Sequence, residues 1–95
     1  MTVFEIYQLE QLLAFAECGT LSGAAERLHL SQPALSRSMQ RLEAELQVPL
    51  FHRQKNKIEF NENGRMAADC ARQVLDKCQD MICLLYTSDA ADDLL

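Results

Sequence analysis

The fold is decided by residues 24–37, which read AAERLHLSQPALSR. This segment contains the paired Ala24 and Ala25, whose small side chains allow the backbones of two helices to cross closely. Ser31 offers a helix N-cap, and Pro33 stands in the first turn of the next helix, where its missing N–H leaves no hydrogen bond unmade. The segment therefore predicts two short helices joined by a tight turn.

The helix that begins near residue 32 has two different faces. Its apolar positions recur every three or four residues and form one stripe: Leu35, Met39, Leu42 and Leu46. The positions opposite this stripe are polar or basic: Pro33, Ser36, Arg37, Gln40 and Arg41. We expect a helix over about 32–46 that packs on one side and presents amide, hydroxyl and guanidinium groups on the other.

The flanking sequence predicts the rest of the architecture. An amphipathic helix precedes the segment and ends near Gly19, and either Thr20 or Ser22 can cap the short helix that follows. After Gln47 the pattern changes to that of a small hairpin over about 50–60, and Asn61 can cap a long fourth helix. This order predicts a mainly α winged helix-turn-helix, with a three-helix core and a β-hairpin wing (1–60) followed by a linker helix (61–82).

The apolar stripe of the fourth helix has two interpretations. It can be core, or it can be the seam between two paired helices. A helix that projects past a small core favours a partner helix. The candidate dimerisation residues are Ala67, Cys70, Val74, Cys78 and Met81.

The charge is unevenly distributed. The chain of 95 residues has a formal net charge of −5, which by itself argues against nucleic acid as a partner, because Lys and Arg supply most of the affinity for phosphates. Residues 27–57 nevertheless contain six basic and two acidic residues, a local excess of four positive charges. A molecule with one basic face is therefore expected.

Composition argues against several other classes of function. The four cysteines (18, 70, 78 and 83) form no Cys-x-x-Cys pair, and no histidine pair stands at zinc-ligand spacing beside them. We expect no metal or cofactor, and interpret the cysteines as small buried apolar residues in a reducing compartment. A cysteine nucleophile would need an oriented base, for which the sequence offers no third group, so an enzyme is not expected. Without a leader pattern or an apolar run of about 20 residues, a cytoplasmic protein without a membrane partner is predicted.

The motifs of the central segment and of the wing together resemble the N-terminal domain of LysR-type transcriptional regulators. The resemblance covers roughly residues 5–82 and rests on residues 24–37, on Leu42-Glu43 and on VPLFHR at 48–53, in the family's order and spacing. It implies a bacterial repressor or activator that binds double-stranded DNA. It also implies a homodimer or homotetramer formed through the fourth helix, and a small-molecule effector bound by a separate C-terminal domain that this sequence lacks.

The resemblance also implies roles for individual residues. Gln32, Pro33, Ser36 and Arg37 would face the bases, and Ser31 with Thr20 or Ser22 would reach phosphates. Arg53 in the wing would approach the backbone or minor groove. Gln40 and Arg41 extend the outer face of the same helix; Arg41 is a candidate for phosphate, or alternatively a solvated partner of Glu45. Lys55 and Lys57 at the hairpin tip can contact phosphate or serve solubility alone.

The sequence departs from the family pattern in three places. Gln47 stands where the family has glycine after the recognition helix, so a left-handed turn there costs on the order of 1 kcal/mol and its geometry is expected to differ in detail. Asn61 stands where the family has threonine and caps about as well. Residues 83–93, CLLYTSDAADD, resemble a translated library-adapter sequence, so 83–95 are interpreted as a non-native tail on a truncated gene.

Two other functions remain open from the sequence. A winged helix that has lost DNA affinity and serves only protein assembly would show no salt-dependent DNA binding. A molybdate-responsive type of regulator shares this N-terminal fold and would differ in its C-terminal sequence.

Overall fold

The computed structural model describes residues 4–54 and 57–93, with side chains described as far as residue 85. Its elements follow in the order α1 (Ile6–Cys18), α2 (Leu21–Leu28), α3 (Gln32–Leu46), β1 (Phe51–Gln54), β2 (Lys57–Phe60) and α4 (Glu62–Asp93). The two strands pair in an antiparallel hairpin, in which Phe51 stands opposite Phe60. The predicted mainly α winged helix-turn-helix is confirmed.

The predicted end of α1 and the predicted starts of α2 and α3 are confirmed by their caps. α1 ends at Gly19, whose φ of 80° is the left-handed conformation that glycine adopts readily. The Thr20 hydroxyl accepts a hydrogen bond from the Gly23 N–H (3.0 Å), and the Ser31 hydroxyl accepts one from the Ala34 N–H (3.2 Å). Each hydroxyl thus satisfies a backbone donor that the first turn of its helix leaves unpaired.

The core lies where α1, α2 and α3 meet beneath the wing. Ala24 and Ala25 are buried, as the close helix crossing requires, and the α3 stripe is buried except for the half-buried Leu46. Three aromatic rings connect α1 to the wing: Phe15 lies 5.2 Å from Phe51 and 4.9 Å from Phe60, centroid to centroid. The base of the wing is therefore part of the core.

A polar pair within the core was not anticipated from the sequence. The Ser38 hydroxyl on α3 donates a hydrogen bond to Oε1 of Gln11 on α1, and both side chains are buried. Gln8 is also buried, and its Oε1 accepts a hydrogen bond from the Glu5 N–H (2.8 Å) at the start of α1. Because each of these polar groups has a hydrogen-bond partner, burying it costs little free energy. The bond between Ser38 and Gln11 joins α3 to α1 and favours one position of α1 on α3.

The fourth helix differs in length from the prediction. It runs from Glu62 to Asp93, past the expected end at residue 82. Residues 83–93 contain neither glycine nor proline and include leucine and alanine, so no local signal stops the helix. Its first turns belong to the core, where Ala68 and Ala71 are buried and α4 packs on α1. Within the described part of the chain, no helix has the length and apolar character needed to cross a membrane.

The expectation that the cysteines are buried was wrong. Cys70 and Cys83 are exposed, and Cys18 and Cys78 are only half-buried. Cys70 and Cys78 lie on α4, where Ala71 and Leu75 between them pack on the core instead. Cys18, Cys70 and Cys78 are free thiols.

Candidate nucleic-acid interface

The outer face of α3 is presented to solvent. Leu35, Met39 and Leu42 point into the core, so the positions opposite them face outward. Five of the predicted residues are exposed and Ser36 is half-buried. The exposed five are Gln32, Pro33, Arg37, Gln40 and Arg41. An α-helix of this kind fits the major groove of B-DNA, where arginine can pair with guanine and glutamine with adenine.

The basic residues of this region differ in whether they form ion pairs. Arg27 pairs with Glu17, Arg53 with Glu43 (2.7 Å), and Lys57 with Glu59 (3.4 Å). Arg37 and Arg41, by contrast, have no carboxylate within ion-pair distance among the residues whose side chains are described.

The Arg41–Glu45 pair that was considered from the sequence therefore does not form. One helical turn separates the two residues, but both side chains extend into water, where such a pair gains little. The two α3 guanidinium groups are thus the exposed cations that remain free to meet an anion on this face.

Three hydroxyl groups lie at the N-termini of α2 and α3. Thr20, Ser22 and Ser31 are all exposed. The hydroxyl oxygens of Thr20 and Ser31 accept from their own helices, which leaves each hydroxyl hydrogen free to donate. Helix N-termini also carry a partial positive charge, so these positions suit phosphate oxygens.

The wing carries Arg53 on β1. Its Nη2 atom donates to Glu43 Oε1, and its guanidinium carbon lies 5.7 Å from the centre of the Phe51 ring. The side chain is nevertheless 38 % exposed. Lys55, the other predicted wing contact, lies outside the described residues.

Gln47 and Asn61 both take the backbone roles that the family pattern assigns to other residues. Gln47 caps α3 with φ 61° and ψ 30°, so the left-handed turn is kept although a side chain is present. Asn61 Oδ1 accepts from the Gly64 N–H (2.8 Å) and its Nδ2 donates to the Pro49 carbonyl oxygen (3.0 Å). The amide thus caps α4 and also ties the loop before β1, which a threonine hydroxyl could not do in the same way.

The predicted dimerisation residues follow one side of α4. Ala67 is half-buried against the core, whereas Cys70, Val74 and Met81 are exposed and Cys78 is half-buried. A groove of about 210 Å³ lies between α1, α3 and α4. It is lined by Phe4, Leu9, Leu12, Leu42, Leu46, Ala67, Cys70, Ala71 and Val74. The sequence prediction missed the exposed Leu84 and Leu85, which extend the apolar surface toward the C-terminal part of α4.

Comparison with known proteins gives the family. Residues 6–65 match the family described as "Bacterial regulatory helix-turn-helix protein, lysR family". The chain belongs to the lysR family. The resemblance seen in the sequence is therefore confirmed over the helix-turn-helix, the wing and the start of α4.

Curated relatives of this lysR-family chain are named as transcriptional regulators. It is 43% identical over 72 residues to the HTH-type transcriptional regulator TcbR of a Pseudomonas species, covering 76% of this chain and 24% of TcbR. It is 42% identical over 71 residues to TfdT of Cupriavidus pinatubonensis, covering 75% of this chain and 31% of TfdT. The chain thus spans about a quarter to a third of the length of these relatives. Their names describe regulators and not enzymes, in agreement with the prediction.

Solved structures agree with the fold of the lysR-family chain. The crystal structure of a CbnR_DBD–DNA complex superposes with a TM-score of 0.83 at 36% identity, covering 90% of this chain and 98% of that one. A BenM_DBD complex with catB site 1 DNA gives a TM-score of 0.86 at 26% identity, covering 93% and 95%. Both are complexes with DNA by their descriptions.

Two residues of this lysR-family chain have roles that sequence reasoning missed. Glu43 connects α3 to the wing, and Gly64 lies against the Leu50 carbonyl oxygen and the Phe60 ring. Glu43 stood in the quoted motif but was counted only as a charge. Gly64 lies within the first turn of a helix, and no pattern in the sequence indicates the close approach.

Proposed function

We propose that this chain is the DNA-binding part of a LysR-type transcription regulator, with α3 in the major groove and the wing on the backbone or minor groove. The observation that carries the proposal is the outer face of α3, where Arg37 and Arg41 are exposed and unpaired while the other described basic residues of 27–57 are in ion pairs. The related structures solved with DNA support the same conclusion.

We assign base contacts to the first turns of α3. Gln32, Pro33, Ser36 and Arg37 lie nearest its N-terminus, the end of a recognition helix that meets base edges. Arg37 is the residue best suited to specificity, because a guanidinium can donate two hydrogen bonds to the N7 and O6 atoms of guanine.

We assign phosphate contacts to the residues around this helix. Thr20, Ser22 and Ser31 present hydroxyls at helix N-termini, and Gln40 and Arg41 continue the outer face of α3. Arg53 and Lys55 would reach the backbone or minor groove from the wing. These contacts fix the position of the protein on the duplex but read no sequence directly.

We infer that two copies pair through α4, as a homodimer or within a homotetramer. The exposed apolar residues Val74, Met81 and Ile82 support this, since a second α4 would remove them from water.

The division into a DNA-binding unit (1–60), a linker helix (61–82) and a non-native tail (83–95) remains part of the proposal. The nucleotide sequence of the tail tests whether 83–95 are non-native. A small-molecule effector would bind the part of the regulator that curated relatives have beyond this region. The cytoplasm is the proposed location.

The proposal is tested by selecting binding sites from a pool of random-sequence duplexes. The wild-type chain should enrich one sequence motif and bind it less tightly as salt rises. Arg37→Ala should lower the affinity by about 1–3 kcal/mol and relax the preference at one base pair. Arg72→Ala, which removes an exposed positive charge from α4, is the matched control and should bind nearly as wild type. Equal, weak and salt-independent binding by all three proteins would instead indicate a protein-interaction module.

A further inference from the structure

Glu43 joins the C-terminal half of α3 to the start of the wing. Its Oε2 atom accepts hydrogen bonds from the backbone N–H groups of Leu50 (2.7 Å) and Phe51 (3.3 Å). Its Oε1 atom accepts a hydrogen bond from Nη2 of Arg53 (2.7 Å). One carboxylate therefore binds two backbone donors and one guanidinium at the start of the wing, from Leu50 into β1.

These contacts restrict the Arg53 side chain. Glu43 engages Nη2, and the guanidinium lies near the Phe51 ring, which is itself fixed between Phe15 and Phe60. A guanidinium has five N–H donors, so one bond to Glu43 leaves others available. Arg53 is thus held by contacts with Glu43 and Phe51 while part of its side chain remains exposed to solvent.

The same contacts also fix the wing relative to α3. The loop between α3 and β1 is tied by Glu43 on one side and by Asn61 on the other, through the Pro49 carbonyl oxygen. Because Glu43 lies on α3 itself, a shift of the wing would break three hydrogen bonds to its carboxylate. Together with the packing of Phe51 and Phe60 on Phe15, Glu43 therefore restrains the distance between Arg53 and α3.

We propose that Glu43 is a positioning residue of the DNA interface, which orients Arg53 toward a phosphate at a fixed distance from the bases that α3 meets. This inference rests on the proposed function. A simple argument from charge gives the opposite expectation, because a carboxylate near DNA repels phosphates. The Glu43 side chain is only 16 % exposed, and three donors surround its oxygens, so orientation of the wing outweighs this repulsion.

Repulsion of phosphates by Glu43 would lower the DNA affinity, whereas orientation of Arg53 by Glu43 would raise it. Substituting Glu43 therefore distinguishes the two effects. Glu43→Gln keeps an amide oxygen for the backbone donors but removes the charge that binds Arg53. Glu45→Gln removes the same charge from the same helix at an exposed position with no hydrogen-bond partner in the described part of the chain. Both variants are compared with the full 95-residue wild type on the duplex enriched by the selection, over a series of salt concentrations and by hydroxyl-radical footprinting.

We expect Glu43→Gln to bind roughly tenfold more weakly, to lose protection of the backbone next to the wing, and to lower the salt dependence by about one phosphate contact. Glu45→Gln should stay within about twofold of wild type. A Glu43→Gln variant that binds as Glu45→Gln does, or more tightly, would overturn the role of Glu43 and leave the proposed function standing. A wild type that binds no duplex would overturn both.

A second variant guards against a simple folding defect. Arg53→Gln leaves Glu43 bonded to the Leu50 and Phe51 amides, so the wing should stay folded, while the same backbone protection is lost. Combined with Glu43→Gln it should bind no more weakly than Arg53→Gln alone, because the two residues act through one contact. Independent, additive losses, or full protection in Arg53→Gln, would refute the inference.

Discussion

Gly64 supports the junction of the wing with α4, and Gly64→Ala tests that junction. A Cβ atom at this position would lie 2.1 Å from the Leu50 carbonyl oxygen and 2.5 Å from Cδ1 of Phe60. Neither neighbour can move freely. The Leu50 oxygen accepts a hydrogen bond from the Asn61 N–H (2.9 Å), and the Phe60 ring packs against both the Phe15 and the Phe51 rings.

The expected change in stability follows from two opposing effects. Relieving the overlap costs about 1–3 kcal/mol of overpacking strain, and losing the Asn61–Leu50 hydrogen bond costs about 1 kcal/mol more. Alanine regains up to about 1 kcal/mol of helix propensity. The free energy of unfolding should therefore fall by about 1–3 kcal/mol, and Tm by roughly 5–20 °C for a domain of this size.

Thermal unfolding followed by far-ultraviolet circular dichroism measures this change. The protein concentration must be the same for every variant, because self-association shifts Tm. Asn63→Ala is the matched control: it adds a helix-forming residue to the same turn at an exposed position, and Tm should stay within a few degrees of wild type. If Gly64→Ala unfolds at or above the wild-type Tm, helix propensity decides the outcome and the close approach is not a constraint.

Two further predictions concern α3 and α4. Gln47→Gly should raise the free energy of unfolding by about 0.5–1 kcal/mol, because glycine adopts the φ of 61° without strain. The control Glu45→Gly, within the helix, should lower the free energy of unfolding. Equal Tm values for Gln47→Gly and wild type in thermal unfolding would contradict the prediction. Val74→Glu should weaken self-association at least about tenfold in sedimentation velocity, since it places a charge in the apolar surface of α4. Gln73→Glu adds the same charge beside that surface and should have little effect; equal dissociation by both variants would refute a seam at Val74.

The helices could be predicted because their signals are local in the sequence. Thr20, Ser31 and Asn61 each accept from a backbone N–H three residues on, so the caps could be recognised without knowledge of the fold. The contacts of Glu43 and the bond between Ser38 and Gln11 join residues separated by 7 to 10 and by 27 positions. The periodicity of the sequence does not indicate such contacts, because they depend on how the helices and the wing pack against one another.

The apolar stripe of α4 shows the same limit of sequence-based prediction within one helix. Its period predicted an apolar side, but not which residues of that side pack in the core and which face a partner helix. In the structure Ala68, Ala71 and Leu75 pack inward, while Cys70 and Val74 stay exposed only a few residues away. The division depends on which side of α4 packs against the core, which is a property of the tertiary structure. The mistaken burial of the cysteines has the same origin.

The ion pairs explain how a chain of net charge −5 can present a basic surface. Glu17, Glu43 and Glu59 each pair with a basic residue outside α3. These three carboxylates are thereby engaged, whereas Arg37 and Arg41 on the outer face of α3 are in no ion pair with a described side chain. The local excess of positive charge in residues 27–57 differs from the unpaired charge on the outer face of α3, because Arg27, Arg53 and Lys57 are in ion pairs. On the outer face of α3, Arg37 and Arg41 are the basic residues that the structure describes, so we expect the proposed DNA binding to depend on base contacts and on a second copy on the same duplex as well as on phosphate contacts.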